Sequence, residues 1–427
     1  MRLLIVSLNF SPELTATGKY TGEMAGWFAA RGHEVDAIAG MPHYPEWVIA
    51  RGYRGRAWHE ERLGGVRVLR APHFVPRPGR VSAFGRILME CSFTLASLRW
   101  WLPILLQRRR YDAVIAVCPP MQDALLPWFY GLLRRVPWVY HIQDFQVDAA
   151  VRLGMLRIGR LGRLLFALEN FFVAKASRTS TITPPMRDRV LKKGGAAHRS
   201  WLVPNWADIA SVRPTVRDNA FRRERGWTDD QVIVMYAGAM GAKQGLEIVV
   251  DLAVRVRERD DIRFVMVGAG AERLRLEGAA RDLQLRNMAF LPVQPLERLS
   301  EMLGAADIHL IVQRAEAADL VMPSKLTNIL AAGRPCVATA EPGTGLHEVL
   351  SAHRCGLAVT PESVDALVAA VVSLSDDAAS RQRMGIRARR YAEENLDRDA
   401  ILERMERDLE ELCPPKSRES ADASASS

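Results

Sequence analysis

The residues best suited to chemistry in this sequence are lysines and glycines at strand-to-helix junctions. Segment 322–333 (MPSKLTNILAAG) reads as a helix opened by Pro323 and Ser324 and closed by Gly333, with Lys325 in its first turn. A cation there opposes the helix dipole, which is unfavourable unless an anion sits beside it. The other reading of Lys325 is a solvated surface lysine. Segment 236–246 (YAGAMGAKQGL) reads as a strand, a glycine-rich loop and a helix start, placing Gly241 and Lys243 in an equivalent βα position. Segment 12–22 (PELTATGKYTG) reads as a loop in which Gly18 permits close backbone approach to a ligand. Helix N-termini, glycine N–H groups and lysines together bind a diphosphate well. At the end of the apolar run 138–141 (WVYH), His141 sits where an open α/β sheet binds ligands, with Asp144 close behind. A satisfied core histidine and a helix-capping aspartate are the competing readings.

Other chemistries fit less well. The Thr17-Gly18-Lys19-Tyr20 fragment has Glu13 and Tyr20 where a phosphate-binding P-loop needs Gly and Ser/Thr. Gly268 and Gly270 follow a strand, but Arg273 stands at the third glycine position of a dinucleotide fingerprint. There is no nucleophile elbow. Nine histidines without HxH or HxxxH spacing and five scattered cysteines without CxxC spacing predict no protein-held metal, no disulfide framework and a reducing compartment.

These residues need a scaffold, and the chain of 427 residues suits two domains better than one core. Strands are expected at 3–10, 35–39, 112–117, 138–141 and 179–182, and again at 232–237, 263–267, 289–291, 308–312 and 336–339. A helix is expected at 23–31 and amphipathic helices between the later strands. The alternation implies parallel sheets covered on both faces. The turn-rich segment 203–214 is the expected linker. The first Rossmann-like domain is read as 1–205 and the second as 206–378. Charged helices at 379–413 are expected to pack back toward the first domain, before a disordered tail at 414–427.

The net charge of +9 is unevenly spread. Residues 1–205 hold 29 Lys+Arg against 14 Asp+Glu, while the remainder holds 29 against 35. The basic half calls for an anionic partner: nucleic acid, an anionic membrane or a phosphorylated substrate. Segment 87–107 (ILMECSFTLASLRWWLPILLQ) is nearly continuous apolar sequence followed by three arginines. An internal charge costs roughly 2.5–3.5 kcal/mol at a bilayer centre, and spanning would split the strand series. Lying in the membrane interface fits better, with Trp100 and Trp101 at headgroup level. Segment 151–163 repeats the pattern of arginines among apolar residues. The competing reading of both is a core helix with a basic edge. The opening residues do not read as a signal peptide, so a cytoplasmic start is expected.

The motif Pro323-Ser324-Lys325, Asn328 and Ala332-Gly333-Arg334-Pro335, ahead of an apolar strand, resembles the donor-site helix of family 4 retaining glycosyltransferases. Gln244-Gly245-Leu246-Glu247, His141 to Phe145 with Asp148-Ala149-Ala150, and Leu291 to Pro295 match in order, and together they are closest to the WcaI colanic acid subgroup of presumed fucosyltransferases. The resemblance implies the GT-B architecture of two Rossmann-like domains facing a cleft. It implies a sugar, fucose in the subgroup, moved from a nucleotide-diphosphate donor to a polyprenyl-diphosphate-linked or other saccharide acceptor in cell-surface polysaccharide synthesis. It also implies a retaining reaction, no cofactor and no metal.

Carried over residue by residue, the resemblance gives donor-diphosphate roles to Gly18 and Lys243, to which the reading of the strand-to-helix junctions adds Gly241, Ser324 and Lys325. It gives catalytic positions to His141, Asp144 and Asp319, and donor ribose or sugar contacts to Asn328 and Glu316. Asn328 stands where many members carry the second Glu of a pair, and Leu320 near the first. An arginine usual after the glycine-rich strand is missing, since Ala239 follows Gly238. The expected location is cytoplasmic and peripheral at the inner membrane face, with an anionic membrane surface as partner and no nucleic acid. A GT-B epimerase would need no membrane face. A nucleic-acid binder would line a polar groove with its Lys/Arg, which here border Leu/Ile/Trp-rich stretches.

Overall fold

The apolar runs form two separate parallel sheets in a computed structural model, which describes residues 1–13, 16–77, 82–152, 159–314 and 323–413. The first sheet contains β1 (Arg2–Ser7), β2 (Glu34–Gly40), β3 (His59–Leu63), β4 (Val66–Ala71), β5 (Ala113–Cys118), β6 (Trp138–Ile142), β7 (Arg178–Thr181) and β8 (Ser200–Leu202). Their order is β3-β4-β2-β1-β5-β6-β7-β8. Every residue of β1, β5 and β6 is buried, as continuous apolar runs covered on both faces require. The edge hairpin β3–β4 is the antiparallel exception. Its strands carry Glu60, Glu61, Arg67 and Arg70, which hid them from the apolar pattern.

The second sheet contains β9 (Val232–Ala237), β10 (Ile262–Val267), β11 (Met288–Leu291), β12 (Ile308–Ile311), β13 (Cys336–Thr339) and β14 (Gly356–Val359), in the order β11-β10-β9-β12-β13-β14. All its pairings are parallel. The chain reverses direction between β1 and β5 in one sheet and between β9 and β12 in the other. Crevices open at such switch points, beyond the strand C-termini.

The charged C-terminal region is two helices, Ala378–Asn395 and Arg398–Leu412. They part where Ala207 of the linker exchanges backbone hydrogen bonds with Leu396 and Arg398. The last helix then buries Ile401, Leu402, Met405 and Leu409 with Leu3, Ile5 and Phe28 against the first sheet. Glu406 pairs there with Arg31 at 2.8 Å and His33 at 2.6 Å. The tail expected at 414–427 lies outside the described residues.

Two expectations change. The helix read as 23–31 spans Ala16–Ala30, so Gly18 lies in its first turn rather than in a loop. The Gly18 position suits it to internal packing: a Cβ there would stand 2.5 Å from Glu13 Oε2. Segment 87–107 makes up most of the helix Ala83–Leu106 and its C-cap Gln107, but Trp101 is 1% exposed and packs in the core with Phe93 and Ile104. Trp100 packs beside it and donates its indole N–H to Arg70 O at 3.0 Å. Neither tryptophan is available at headgroup level. The opposite face exposes Phe84 (74%), Leu88, Leu95 (67%), Leu98, Leu102 (62%) and Leu106 (76%), spaced three or four residues apart except for one gap that holds exposed Cys91. Among the described residues no helix is long and apolar enough to cross a membrane.

Candidate active site

The donor side is built on β9. Its last turn carries Gly238 at φ +152°, a conformation that L side chains rarely adopt. Gly268, at the same place after β10, is at φ +151°, and a Cβ there would meet Gly238 O at 2.0 Å. The two loops therefore lie backbone against backbone, joined by Gly238 N–H to Val267 O at 2.9 Å and Met240 N–H to Ala269 O at 2.8 Å. Beyond them Gly241 precedes a single 3-10 turn, Ala242–Gln244, which holds Lys243. The Gln244 side chain accepts from Gly241 N–H at 3.1 Å. Arg314, just past β12, donates to Ala242 O at 3.0 Å and pairs with Glu247. It ties the turn to the start of the helix Glu247–Arg255.

Facing this loop is the helix Ser324–Ala331, whose N-terminal Pro323 supplies no side-chain cap. Its Lys325 ammonium lies 3.8 Å from the centre of the Tyr236 ring. A Cβ on Gly238 would approach Lys325 Nζ to 3.0 Å, so glycine makes room for the cation. Among the described residues Lys325 has no hydrogen-bond or ion-pair partner. Burial without a counter-ion pushes its pKa down to about 7. Lys193 shows the ordinary alternative, clasped between Asp148 at 2.8 Å and Glu169. Asn328, one turn after Ser324, is half-buried and its amide makes no hydrogen bond among the described residues.

The other wall comes from the first sheet. A pocket of about 200 Å³ lies beyond the ends of β1 and β5, reached by Leu8, Asn9, Pro119 and Pro120. Thr17, Gly18 and Tyr20 enter it from the first helix, His43, Tyr44 and Trp47 from the loop after β2, and Arg86, Met89 and Glu90 from the helix Ala83–Leu106. Gln143 and Asp144 complete this wall, and Asn205 of the linker and Ser324 of the facing helix close it. The pocket thus lies in the cleft between the two sheets.

Glu13 organises the loop around this wall. Its carboxylate accepts from Asn9 Nδ2 at 2.9 Å, His43 N–H at 2.9 Å and Tyr44 N–H at 3.0 Å. Burial still raises its pKa above the ordinary value. Arg70, fully buried, donates to Gly40 O at 2.9 Å and to Ser11 O, and pairs with Glu61 at 2.6 Å. It anchors the segment leading to Glu13.

Of the predicted residues, Gly18, Asp144 and Ser324 line one pocket, while Gly241, Lys325 and Asn328 stand on the donor side of the cleft. His141 lies beneath the pocket lining, 2% exposed, with Nδ1 2.8 Å from Ser180 Oγ and Nε2 2.8 Å from Gln143 Nε2. With the Gln143 amide N–H donating to Nε2, the ring is neutral and donates from Nδ1. Burial lowers its pKa to about 4. The histidine is placed to orient Gln143, which does reach the pocket. Glu316 and Asp319 lie outside the described residues. Among the described residues no cluster of His, Cys, Asp or Glu could hold a metal ion. Sequence reasoning missed Glu13, Arg86, Glu90, Gln143 and Arg314. Arg86 had a usable signal: it is a cation in a helix first turn, the argument that singled out Lys325.

Two family models match the chain: "Glycosyl transferase 4-like domain" over residues 15–206 and "Glycosyl transferases group 1" over 217–391. The chain is 38% identical over 417 residues to the "Putative colanic acid biosynthesis glycosyl transferase WcaI" of Escherichia coli K12, covering 96% of this chain and 100% of that one. The chain belongs to the group 1 glycosyltransferases. It is a nucleotide-sugar-dependent glycosyltransferase by this membership. The glycosyltransferase has the GT-B fold. It superimposes on a sucrose-phosphate synthase from Thermosynechococcus elongatus with a TM-score of 0.72 at 17% identity, over 96% of this chain and 98% of that one. The HepE protein of Anabaena, in complex with UDP and glucose, aligns with a TM-score of 0.68 at 15% identity over 95% and 98% of the two chains.

Proposed function

We propose that this glycosyltransferase moves a sugar from a nucleoside diphosphate donor to a lipid-linked saccharide during synthesis of a cell-surface polysaccharide, working at a membrane surface on the cytoplasmic side. The observation that carries the donor half is Lys325: a desolvated ammonium without a counter-ion among the described residues, beside an uncapped helix N-terminus and a glycine backbone. A diphosphate supplies the missing anion, and the negative charge that grows on it as the sugar departs is stabilised by groups already in place. Gly241, Ser324 and Lys243 contribute to the same cradle, with Gly18 facing it from the first helix. Asn328 is proposed to contact the ribose, and Glu316 or Asp319 the donor sugar. Asp144 and Gln143, held by His141, border the reacting centre from the acceptor wall. Such electrostatic assistance needs no metal, and attack on the face that the diphosphate leaves would retain configuration.

The name of the WcaI relative supports the polysaccharide assignment, and fucose is the sugar that the subgroup suggests. The apolar stripe from Phe84 to Leu106, with Arg108, Arg109 and Arg110 just beyond it, supports a docked orientation on anionic lipid. A panel of nucleotide sugars screened by thermal shift tests the donor half, since a bound donor stabilises by mass action. One donor should raise the midpoint of the wild type and leave Lys325→Met unmoved. Equal shifts in both proteins would reject the assignment.

A further inference from the structure

The donor wall has a cation with no ion-pair partner among the described residues, and the acceptor wall has one as well. Arg86 lies in the first turn of the helix Ala83–Leu106 and lines the pocket. Among the described residues its guanidinium makes neither a hydrogen bond nor an ion pair, and its Nε–H is buried without an acceptor. Glu90, one turn on, is the partner that helical spacing offers. Its carboxylate is instead held by Gln122 at 3.1 Å and by Gln146. The Arg86 charge still acts on Glu90, holding down a pKa that burial raises, but the buried Nε–H lacks an acceptor, which is costly unless a ligand supplies one. Beside it lies a flat apolar surface, with the Arg86 guanidinium carbon 5.9 Å from the centre of the Trp47 ring, against which a sugar ring can pack.

We propose that Arg86 is the acceptor-side anion site of this glycosyltransferase, binding a phosphate or carboxylate of the acceptor while Trp47 packs on its sugar. The proposal rests on the transferase reading above. Phe84, Ile87 and Leu88 are exposed on the outer face of the same turn. A diphosphate anchored in a bilayer can therefore approach Arg86 from that side. The carboxylate of an acidic sugar offers the same planar pair of acceptors to the guanidinium.

The test measures binding of farnesyl diphosphate and of methyl β-glucuronide to wild type, Arg86→Gln, Arg86→Lys and Lys325→Met, with thermal midpoints confirming that each is folded. Arg86→Gln should lose about 10- to 100-fold affinity for one probe, and Arg86→Lys less, since lysine keeps the charge without the fork. The same probe should bind Lys325→Met as it binds wild type, which separates the acceptor anion site from the donor one. Loss confined to farnesyl diphosphate assigns a lipid diphosphate, and loss confined to the glucuronide assigns an acidic sugar. Unchanged affinity of Arg86→Gln for both probes, or no binding of either probe by wild type, overturns the proposal. UDP and GDP binding provides the separate control. Loss in Lys325→Met with retention in Arg86→Gln leaves the donor reading standing whatever the acceptor probes show.

Discussion

The two walls of the cleft handle charge differently. On the acceptor wall, the carboxylates of Glu13 and Glu90 are buried but fully engaged by backbone N–H groups and side-chain amides. On the donor wall, the Lys325 ammonium sits over an aromatic face with no acidic partner among the described residues. The first arrangement fixes loop shape, because a buried polar group that is satisfied holds its neighbours in one geometry. The second stores an unmet interaction for a ligand. Arg86 is the exception on the acceptor wall, its buried Nε–H left without an acceptor.

The largest expected effect comes from removing the donor-wall cation. Lys325→Met should lower kcat/KM by about 100-fold, roughly 2.7 kcal/mol, the loss of a charge-assisted contact to the diphosphate. Steady-state kinetics over donor concentration measure it; a change below threefold would equate Lys325 with an ordinary surface lysine. The pH dependence sharpens the same point. A lysine at about 7 rather than 10.5 is protonated below pH 7 and neutral above it. Donor affinity should therefore be full below pH 7 and fall up to about tenfold per unit above it. Stability of the free enzyme should move the opposite way. Between pH 7 and 10.5 the unfolded chain holds the proton that the folded one has lost, so stability contributed by this group rises with pH. Lys325→Met should flatten both trends, read by titration and by denaturant unfolding. His141, at about 4, should contribute no step between pH 5 and 8.

A smaller effect is expected where the donor wall depends on backbone rather than charge. Gly268→Ala brings a Cβ within 2.0 Å of Gly238 O at a positive φ. It should cost about 2 kcal/mol in stability and weaken donor binding with it. Unchanged unfolding would mean that the loops after β9 and β10 part freely. The smallest stability effect belongs to the outer face of the acceptor half. Leu95→Glu with Leu102→Glu should change stability by no more than about 0.5 kcal/mol each. The pair should nevertheless abolish sedimentation with vesicles rich in anionic lipid. Retained vesicle binding would move the membrane contact elsewhere.

Much of this was legible in residue order. The buried strands were readable because a parallel strand covered on both faces must be largely apolar, as β5, β9 and the Leu3–Val6 stretch of β1 are. Strands β3 and β4 were not, since an edge hairpin paired through Glu60–Arg67 and Glu61–Arg70 carries its charges within the strands. Lys325 could be flagged from its helix turn alone, because the conflict between a cation and a helix dipole is local. What surrounds it was not local. That Tyr236, nearly ninety positions earlier, provides its aromatic face, and that no acid among the described residues reaches it, depends on how β9 packs against the helix after β12. The same holds for the long apolar helix: its composition marked two candidate faces, and only packing decided that the tryptophans turn inward and the leucines outward. Arg86 makes the division clearest. Its position in a first turn was written in the sequence, but its missing hydrogen-bond acceptor arose when Gln122 and Gln146, from two other elements, took the carboxylate that helical spacing had offered it.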